Sequence, residues 1–417
     1  MKEILASVLK EITPKHSLDD KIKPLLARIR REAKTLGIDC EVQVGGSVGK
    51  DTHLIGKYDC DVFVRFDYRQ YKDIDLSAQL DIILKNLHGF DYEKIHGSRD
   101  YFQTIQHKIT FELIPVLKID NAQQAQNVTD MSPHHVHWVK KKAKKVRPDI
   151  RLLRAFCKAQ RVYGAESYIG GFSGHVLDIL TIHYGSFLGV LEASQLWPDK
   201  HIIDVEYYYK GKNALQFLNE AKIDSPIIVI DPILPSRNAA SALTKEQCDR
   251  FATAARLFLQ NPKKAFFLKK KMSITNFTKE KGTRYKLTLT PQSGKIDIVG
   301  AKLKKVLDYI RTNAPKQEFA LLSSEWEWEP EKQATMYLCV EKHRLSPKQT
   351  VIGPPVRLHP SVKAFLQKHP LAKEKQGRMV AQIKREFITF DQFLKSLQQN
   401  PYVKTKCEDL AFERYSA

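Results

Sequence analysis

The stretch Tyr58–Phe66 (Tyr-Asp-Cys-Asp-Val-Phe-Val-Arg-Phe) constrains the fold more than any other. Successive residues of a strand point to opposite faces. Read as a strand, it projects Asp59 and Asp61 from one face and Cys60, Val62, Val64 and Phe66 from the other. Such a strand needs an apolar core behind it and a polar site in front. Two carboxylates this close repel unless a cation sits between them. The turn Gly45-Gly46-Ser47 precedes the strand, and Phe111-Glu112-Leu113-Ile114-Pro115 follows it. Glu112 is therefore a third carboxylate, on a neighbouring predicted strand. A lone Asp-x-Asp or a lone Gly-Gly-Ser is common; the combination reads as an active site.

The chemistry that needs this set is nucleotidyl transfer. A 3′-hydroxyl attacks an α-phosphate and diphosphate leaves. Two metal ions ~4 Å apart stabilise the attacking and leaving oxygens. Mg2+ suits the site, because it takes oxygen ligands and shares them with substrate phosphates. The glycine turn lets backbone amides and the Ser47 hydroxyl approach a triphosphate. Gly-Gly-Ser-Val-Gly-Lys-Asp-Thr is no P-loop: Val44 and Asp51 stand where that motif needs Gly and Ser or Thr.

The rest of the chain reads as an α+β multidomain protein. With 417 residues it exceeds what one core usually covers. Residues 1–36 read as helical, broken at Pro14, with Gly37 as a C-cap. The strand at 58–67, ended by Asp67, precedes a helix near 72–88 and strands at 101–106 and 107–117. From Ser132 to Pro262 the chain looks mostly helical, with Ser173–Trp197 as one piece. Beyond Lys263, Arg284–Thr290, Lys295–Gly300, Phe319–Glu329 and Gln333–Leu345 look like strands, with Ala301–Ala314 as a helix between them. The expected divisions are a small mixed sheet carrying the polar site (1–130), a mostly helical segment (131–262), an α/β region (263–352) and a further small unit (353–417).

The formal net charge is +21, from 68 Lys and Arg against 47 Asp and Glu. Such an excess makes polyanions the expected partners. The six cysteines, Cys40, Cys60, Cys157, Cys248, Cys339 and Cys407, form no Cys-x-x-Cys pair, which suits a reducing cytoplasm. No run of eighteen apolar residues suggests a membrane span, and the N-terminus lacks the apolar core of a secretory signal.

The run from Gly45 to Phe66 resembles the signature of the nucleotidyltransferase superfamily shared with DNA polymerase beta. Asn127–Val139, Asp149–Phe187, Asp231–Leu243 and Ile352–Val356 resemble segments of the archaeal, class I CCA-adding enzymes. The likeness is strong over the first 260 or so residues and patchy beyond. It implies a catalytic nucleotidyltransferase head (1–130), a helical neck for nucleotide and base recognition (131–262), a body binding RNA (263–352) and a tail binding tRNA (353–417). It places metal ligands and catalytic groups at Asp59, Asp61 and Glu112, and triphosphate contacts at Ser47 and Lys50. It places further nucleotide contacts at His135, Arg154 and Tyr163, and base recognition at Arg237, with Asn238 beside it. It implies addition of C, C and A to tRNA 3′ ends from CTP and ATP, with two Mg2+ and no template, in the cytoplasm. Departures are Glu112 where the family usually has Asp, Lys50 for Arg, Arg154 for Lys, and Val136 for the second His of a pair.

Alternatives remain at this stage. The same site could serve a poly(A) polymerase or another RNA terminal nucleotidyltransferase, or be kept by a non-catalytic RNA-binding protein. A homodimer is left open. His134, His135 and His137 could suggest zinc, but without a nearby cysteine a nucleotide contact at His135 is favoured. Without the resemblance, Tyr163 reads equally as a packing residue. The Lys140–Arg147 run reads equally as a solvated face or a phosphate contact. Phe266 and Phe267 are expected in the core, with the flanking lysines outside. Trp326 and Trp328 share a strand face, and core packing or an interface is favoured over base stacking.

Overall fold

The structure is a computed structural model that describes residues 1–56, 58–219 and 223–415. It divides into two compact units, Met1–Lys270 and Lys271–Ala417.

Unit one opens with two helices, α1 (Lys2–Ile12) and α2 (Asp19–Thr35). In α2 the buried residues Ile22, Leu25, Leu26, Ile29 and Ala33 recur at helical spacing and form one apolar stripe. Gly37 ends it with φ +68, as a C-terminal glycine should. Next come β1 (Cys40–Val44), the short helix α3 (Gly46–Gly49), β2 (Tyr58–Asp67), α4 (Tyr68–Tyr71), α5 (Leu76–Lys85), β3 (Glu93–Ile95), β4 (Tyr101–Gln106) and β5 (Ile109–Lys118). Asp67 ends β2 and caps α4, its side chain accepting from the Arg69 and Gln70 amides.

The five strands form one sheet in the order β1-β2-β5-β4-β3, with β2 and β5 parallel and the other pairs antiparallel. The register sets Asp61 beside Glu112 and Asp59 beside Thr110. Behind the sheet, Cys60, Val62, Val64, Phe66, Phe111 and Leu113 pack with the apolar faces of α2 and α5. Both helices cover that face, so the carboxylate face stays clear. Farther along the clear face, Phe63, Ile114 and Val116 close against Val136.

The helical part holds α6 (Ser132–Lys142), α7 (Arg147–Ala159), α8 (Gly174–Tyr184), α9 (Phe187–Ala193) and α10 (Lys245–Gln260). Phe156, Phe187, Phe251, Phe258 and Phe267 build its core, which Val8 of α1 also joins. Two features depart from expectation. The single piece expected at 173–197 is two helices bent by 91°. Gly185, at φ +78, ends α8, and Ser186 caps α9 through its hydroxyl. The expected helical run also contains a parallel strand pair, β6 (His201–Ile203) with β7 (Ile227–Val229). Among the described residues no single helix is long and apolar enough to cross a membrane, and the buried faces of α8 and α9 lie in the core.

Unit two is built on β8 (Thr283–Thr290), α11 (Ile296–Asn313), β9 (Leu321–Glu327) and β10 (Ala334–Val340). It continues with β11 (Lys348–Pro355), α12 (His359–Lys368), β12 (Lys373–Lys375), β13 (Arg378–Lys384), α13 (Phe390–Gln399), α14 (Pro401–Lys404) and β14 (Asp409–Tyr415). One antiparallel sheet runs β14-β8-β10-β9, with α11 and α13 packed on its apolar face; a second runs β11-β13-β12. The strand expected at 295–300 is instead the start of α11. Ile296 and Ile298 alternate like strand residues, but both are about half exposed. The buried set Val299, Leu303, Val306, Leu307 and Ile310 has helical spacing. Trp326 and Trp328 pack against the core. Gly353 is needed where it stands, because a Cβ there would lie 2.8 Å from the Phe365 ring.

Candidate active site

The site begins with the turn after β1. Its amide at Gly45 donates to the Asp61 carbonyl (2.7 Å), which hangs the turn on the carboxylate strand. Gly46 has φ +53, and a Cβ on it would lie 2.0 Å from Asp61 Oδ2. Only glycine satisfies both the backbone conformation and the close approach. A Cβ on Gly45 would lie 2.3 Å from the Phe63 ring. Asp51, just past the turn, is fixed by Arg147 (3.0 Å) and Arg151 (2.7 Å) of α7.

A cleft of about 550 Å3 opens beside this turn. It is lined by Ser47, Lys50, Asp59, Asp61, Arg154 and Tyr163, six of the residues expected at the site, and also by His53, Lys158, Gly174 and His175. Glu112 adjoins Asp61 on the same sheet face and lies 3.5 Å from the Gln103 amide. Burial, then the charges of Asp61 and Asp59, push the Glu112 carboxyl up to about 7. Burial also raises Asp61, with Asp59 adding to it against the pull of Lys50 and Arg154, to about 6. A face that crowds negative charge in a low dielectric calls for a cation. The donor set, three carboxylates with no softer ligand, fits a hard divalent ion.

Cations surround the opposite wall. Lys50 and Arg154 are 6% and 5% exposed, and both bind Asp178 of α8, which is fully buried. Lys50 Nζ donates to one carboxylate oxygen (2.9 Å) and Arg154 Nη2 to the other (2.7 Å). Arg154 also donates to the Gly174 carbonyl, while its Nε is buried without a partner. Lys158 sits 5.0 Å from the centre of the Tyr163 ring. The lysine run splits: Arg147 is used on Asp51 and Lys142 on Glu206, while Lys140, Lys141, Lys144 and Lys145 stay exposed.

Behind the cleft lies a second ionic cluster around Asp231, also fully buried. Its carboxylate accepts from His135 Nε2 (2.9 Å), from Arg237 and from the Ile233 and Leu234 amides. Burial would raise Asp231, but His135 and Arg237 outweigh it and bring the carboxyl down to about 2. His135 and Arg237 are thus joined to each other, one layer behind the cleft wall. Asn238 faces inward: its Oδ1 accepts from the Val229 and Ala240 amides, and its Nδ2 donates to Ser225. It holds the loop that carries Arg237. His134 bonds the Ile119 carbonyl, and His137 is exposed. The histidines that meet are His135 and His175, with ring centres 4.1 Å apart. With Asp231 they place one ligand atom each within 4.8 Å of one another. Arg237 already occupies that carboxylate, and Lys50 and Arg154 stand nearby, so a cation there would meet strong repulsion.

Asp178, Asp231, His53 and His175 carry no assigned role in the sequence reading. Asp178 had a signal, as the one acid in the apolar helix Val176–Leu180. Asp231 opens the motif that ends in Arg237-Asn238.

A glycine turn, a carboxylate strand pair and a cationic wall around one cleft define a nucleotidyltransferase. Residues 148–268 match a family described as tRNA nucleotidyltransferase, second domain, and residues 289–405 match the CCA-adding enzyme, C-terminal domain. The CCA-adding enzyme of Nanoarchaeum equitans is 33% identical over 87% of this chain and 90% of its own length. That of Methanothermobacter thermautotrophicus is 28% identical over 88% and 81%. The chain belongs to the CCA-adding enzyme family. The fold is shared with a cytoplasmic RNA terminal U-transferase (12% identity, TM-score 0.51, covering 65% of this chain and all of that one). It is shared too with a poly(U) polymerase (14% identity, TM-score 0.52, covering 64% and 98%).

Proposed function

We propose that this chain adds C, C and A to the 3′ end of tRNA from CTP and ATP, without a nucleic-acid template, releasing diphosphate. The observation that carries the reading is Asp61 set in register with Glu112 beside the Gly46–Ser47 turn. Asp59, Asp61 and Glu112 hold Mg2+ in this reading. Two such ions, when bound, supply Lewis-acid stabilisation of the attacking and leaving oxygens. Ser47, Lys50, Arg154 and Tyr163 receive the triphosphate, with Asp178 aiming both cations at it. His135 and Arg237 form the nucleotide-selecting layer, and Asn238 acts through the loop it holds.

Residues 1–130 serve as catalytic head and 131–262 as the recognition neck. Residues 263–352 and 353–417 bind the tRNA, through a surface that owes its charge to the lysine excess. The reaction takes place in the cytoplasm, by a monomer or a homodimer.

The test is incorporation on tRNA lacking its 3′ end, with single nucleotides and then both. The expected product stops after C, C and A. Open-ended addition of A would replace this reading with a poly(A) polymerase. Asp59→Ala and Asp61→Ala should each lower incorporation about a thousandfold or more while tRNA binding persists. Normal biological activity in both variants would mean that the protein acts by binding RNA alone.

A further inference from the structure

His53 and His175 both line the cleft, and both nitrogens of the His175 ring are buried without a hydrogen-bond partner. Buried polar groups are nearly always satisfied, so such a ring marks a place where a ligand atom belongs. His175 is the better placed of the two. It sits in the first turn of α8, whose aligned peptides favour an anion. Arg154, with its own unpartnered Nε, reaches the same point: a Cβ on Gly174 would lie 3.1 Å from Arg154 Nη1 and 2.9 Å from the Tyr163 hydroxyl.

The groups around His175 come from every neighbouring element. His135 of α6 lies against its ring, and Trp138 meets it edge-on at 6.4 Å. Arg154 approaches from α7, Lys50 from the glycine turn, and Asp178 lies one turn along α8 itself. From the loop after β7 come Arg237 and Asp231, whose Oδ2 is 3.9 Å from His175 Nε2, too far for a hydrogen bond. Burial, then His135, Lys50, Arg237 and Arg154, hold the ring well below its usual range, so it is neutral at pH 7.

We propose that His175 receives a phosphate oxygen of the incoming nucleoside triphosphate and takes up a proton from solvent as that phosphate arrives. The inference rests on the nucleotidyl-transfer reading. The triphosphate reverses the local potential that the cations create. The proton adds to the free ring nitrogen, the imidazolium N–H donates to the phosphate, and the proton returns to solvent when diphosphate leaves. No bond to His175 forms or breaks beyond that N–H.

The experiment is calorimetry on the full chain, saturated beforehand with Mg2+ so that Asp61 and Glu112 have already given up their protons, with the preformed Mg2+ complex of a nonhydrolysable ATP analogue. It is run at pH 7 in two buffers of different protonation enthalpy. Preforming the complex keeps the nucleotide's own proton out of the balance. Wild type should take up protons on binding. H175Q should take up fewer, bind about tenfold more weakly and show a matching rise in KM for ATP with a smaller change in kcat. Unchanged proton uptake and KM in folded H175Q overturns the proposal. Should H175Q not fold, wild type decides it: no proton uptake on binding sinks the idea. The parent reading fails separately. Wild type that takes up protons through His175 but adds no C, C, A keeps the contact and loses the reaction.

Discussion

Asp61 and Glu112, both half-buried, and the buried Asp231 are three acids with opposite habits. Burial, with repulsion from Asp59 on both and from Asp61 on Glu112, raises Asp61 and Glu112 to about 6 and about 7. A carboxyl raised on folding contributes stability that is present at low pH and lost as pH rises through the folded value. Asp231, lowered to about 2, contributes stability that is present above its unfolded value and lost as pH falls through about 2. The metal-free protein should therefore lose stability between pH 5.5 and 8, of the order of 2 kcal/mol. Mg2+ should restore it, with a larger rise in Tm at pH 8 than at pH 5.5. Thermal melts with Mg2+ and with EDTA at the two pH values check this. An equal Mg2+ effect at both would argue that these carboxylates do not bind the ion. The residues legible in advance were those with a local pattern: Asp59 and Asp61 by alternation, Glu112 by its place among strand residues. Asp178 and His175 were not, because their roles come from partners far away in sequence. Asp178 is 128 residues from Lys50, and His175 is 40 from His135 (175 minus 135).

At the scale of elements, the turn between β1 and β2 is the part least open to change. Gly46→Ala meets both a left-handed φ and the Asp61 carboxylate. It should destabilise the protein by about 1–3 kcal/mol and cut incorporation about a hundredfold as Asp61 is displaced. Gly37→Ala is the control: φ is +68, but nothing lies within 4 Å of the added Cβ. It should cost about 1 kcal/mol and leave incorporation unchanged. Denaturant melts beside single-turnover assays separate the two, and equal activity loss in both would show that the Asp61 contact is irrelevant. Elements were read well where periodicity was long, as in α2, β2 and α10. Where it was short or accidental they were not. The three-residue strands β6 and β7 offer no period to detect, and Ile296 and Ile298 imitate a strand while pointing outward from a helix. The break at Gly185-Ser186 was legible in principle, as a left-handed stop followed by a hydroxyl cap.

For the whole molecule, the net charge of +21 predicts that tRNA is held largely through its phosphates. If about four phosphates are neutralised, affinity should fall roughly a hundredfold between about 50 and 200 mM salt. Titration of labelled tRNA across salt concentrations checks this, and a flat response would remove the electrostatic account. The α+β class and the sheet-bearing head were visible from strand and helix order. The return of β14 to pair with β8 was not, because the two are separated by more than a hundred residues and neither carries a mark of the other.

Asp178 has one further consequence. By holding both Lys50 and Arg154, it leaves that corner one net positive charge instead of two. If Lys50 and Arg154 receive the triphosphate as proposed, the same leash that keeps two long side chains from wandering before a nucleotide arrives also weakens their grip on the by-product. Two unopposed cations would cling to diphosphate and stall a protein that has to load three nucleotides in turn on the same RNA end.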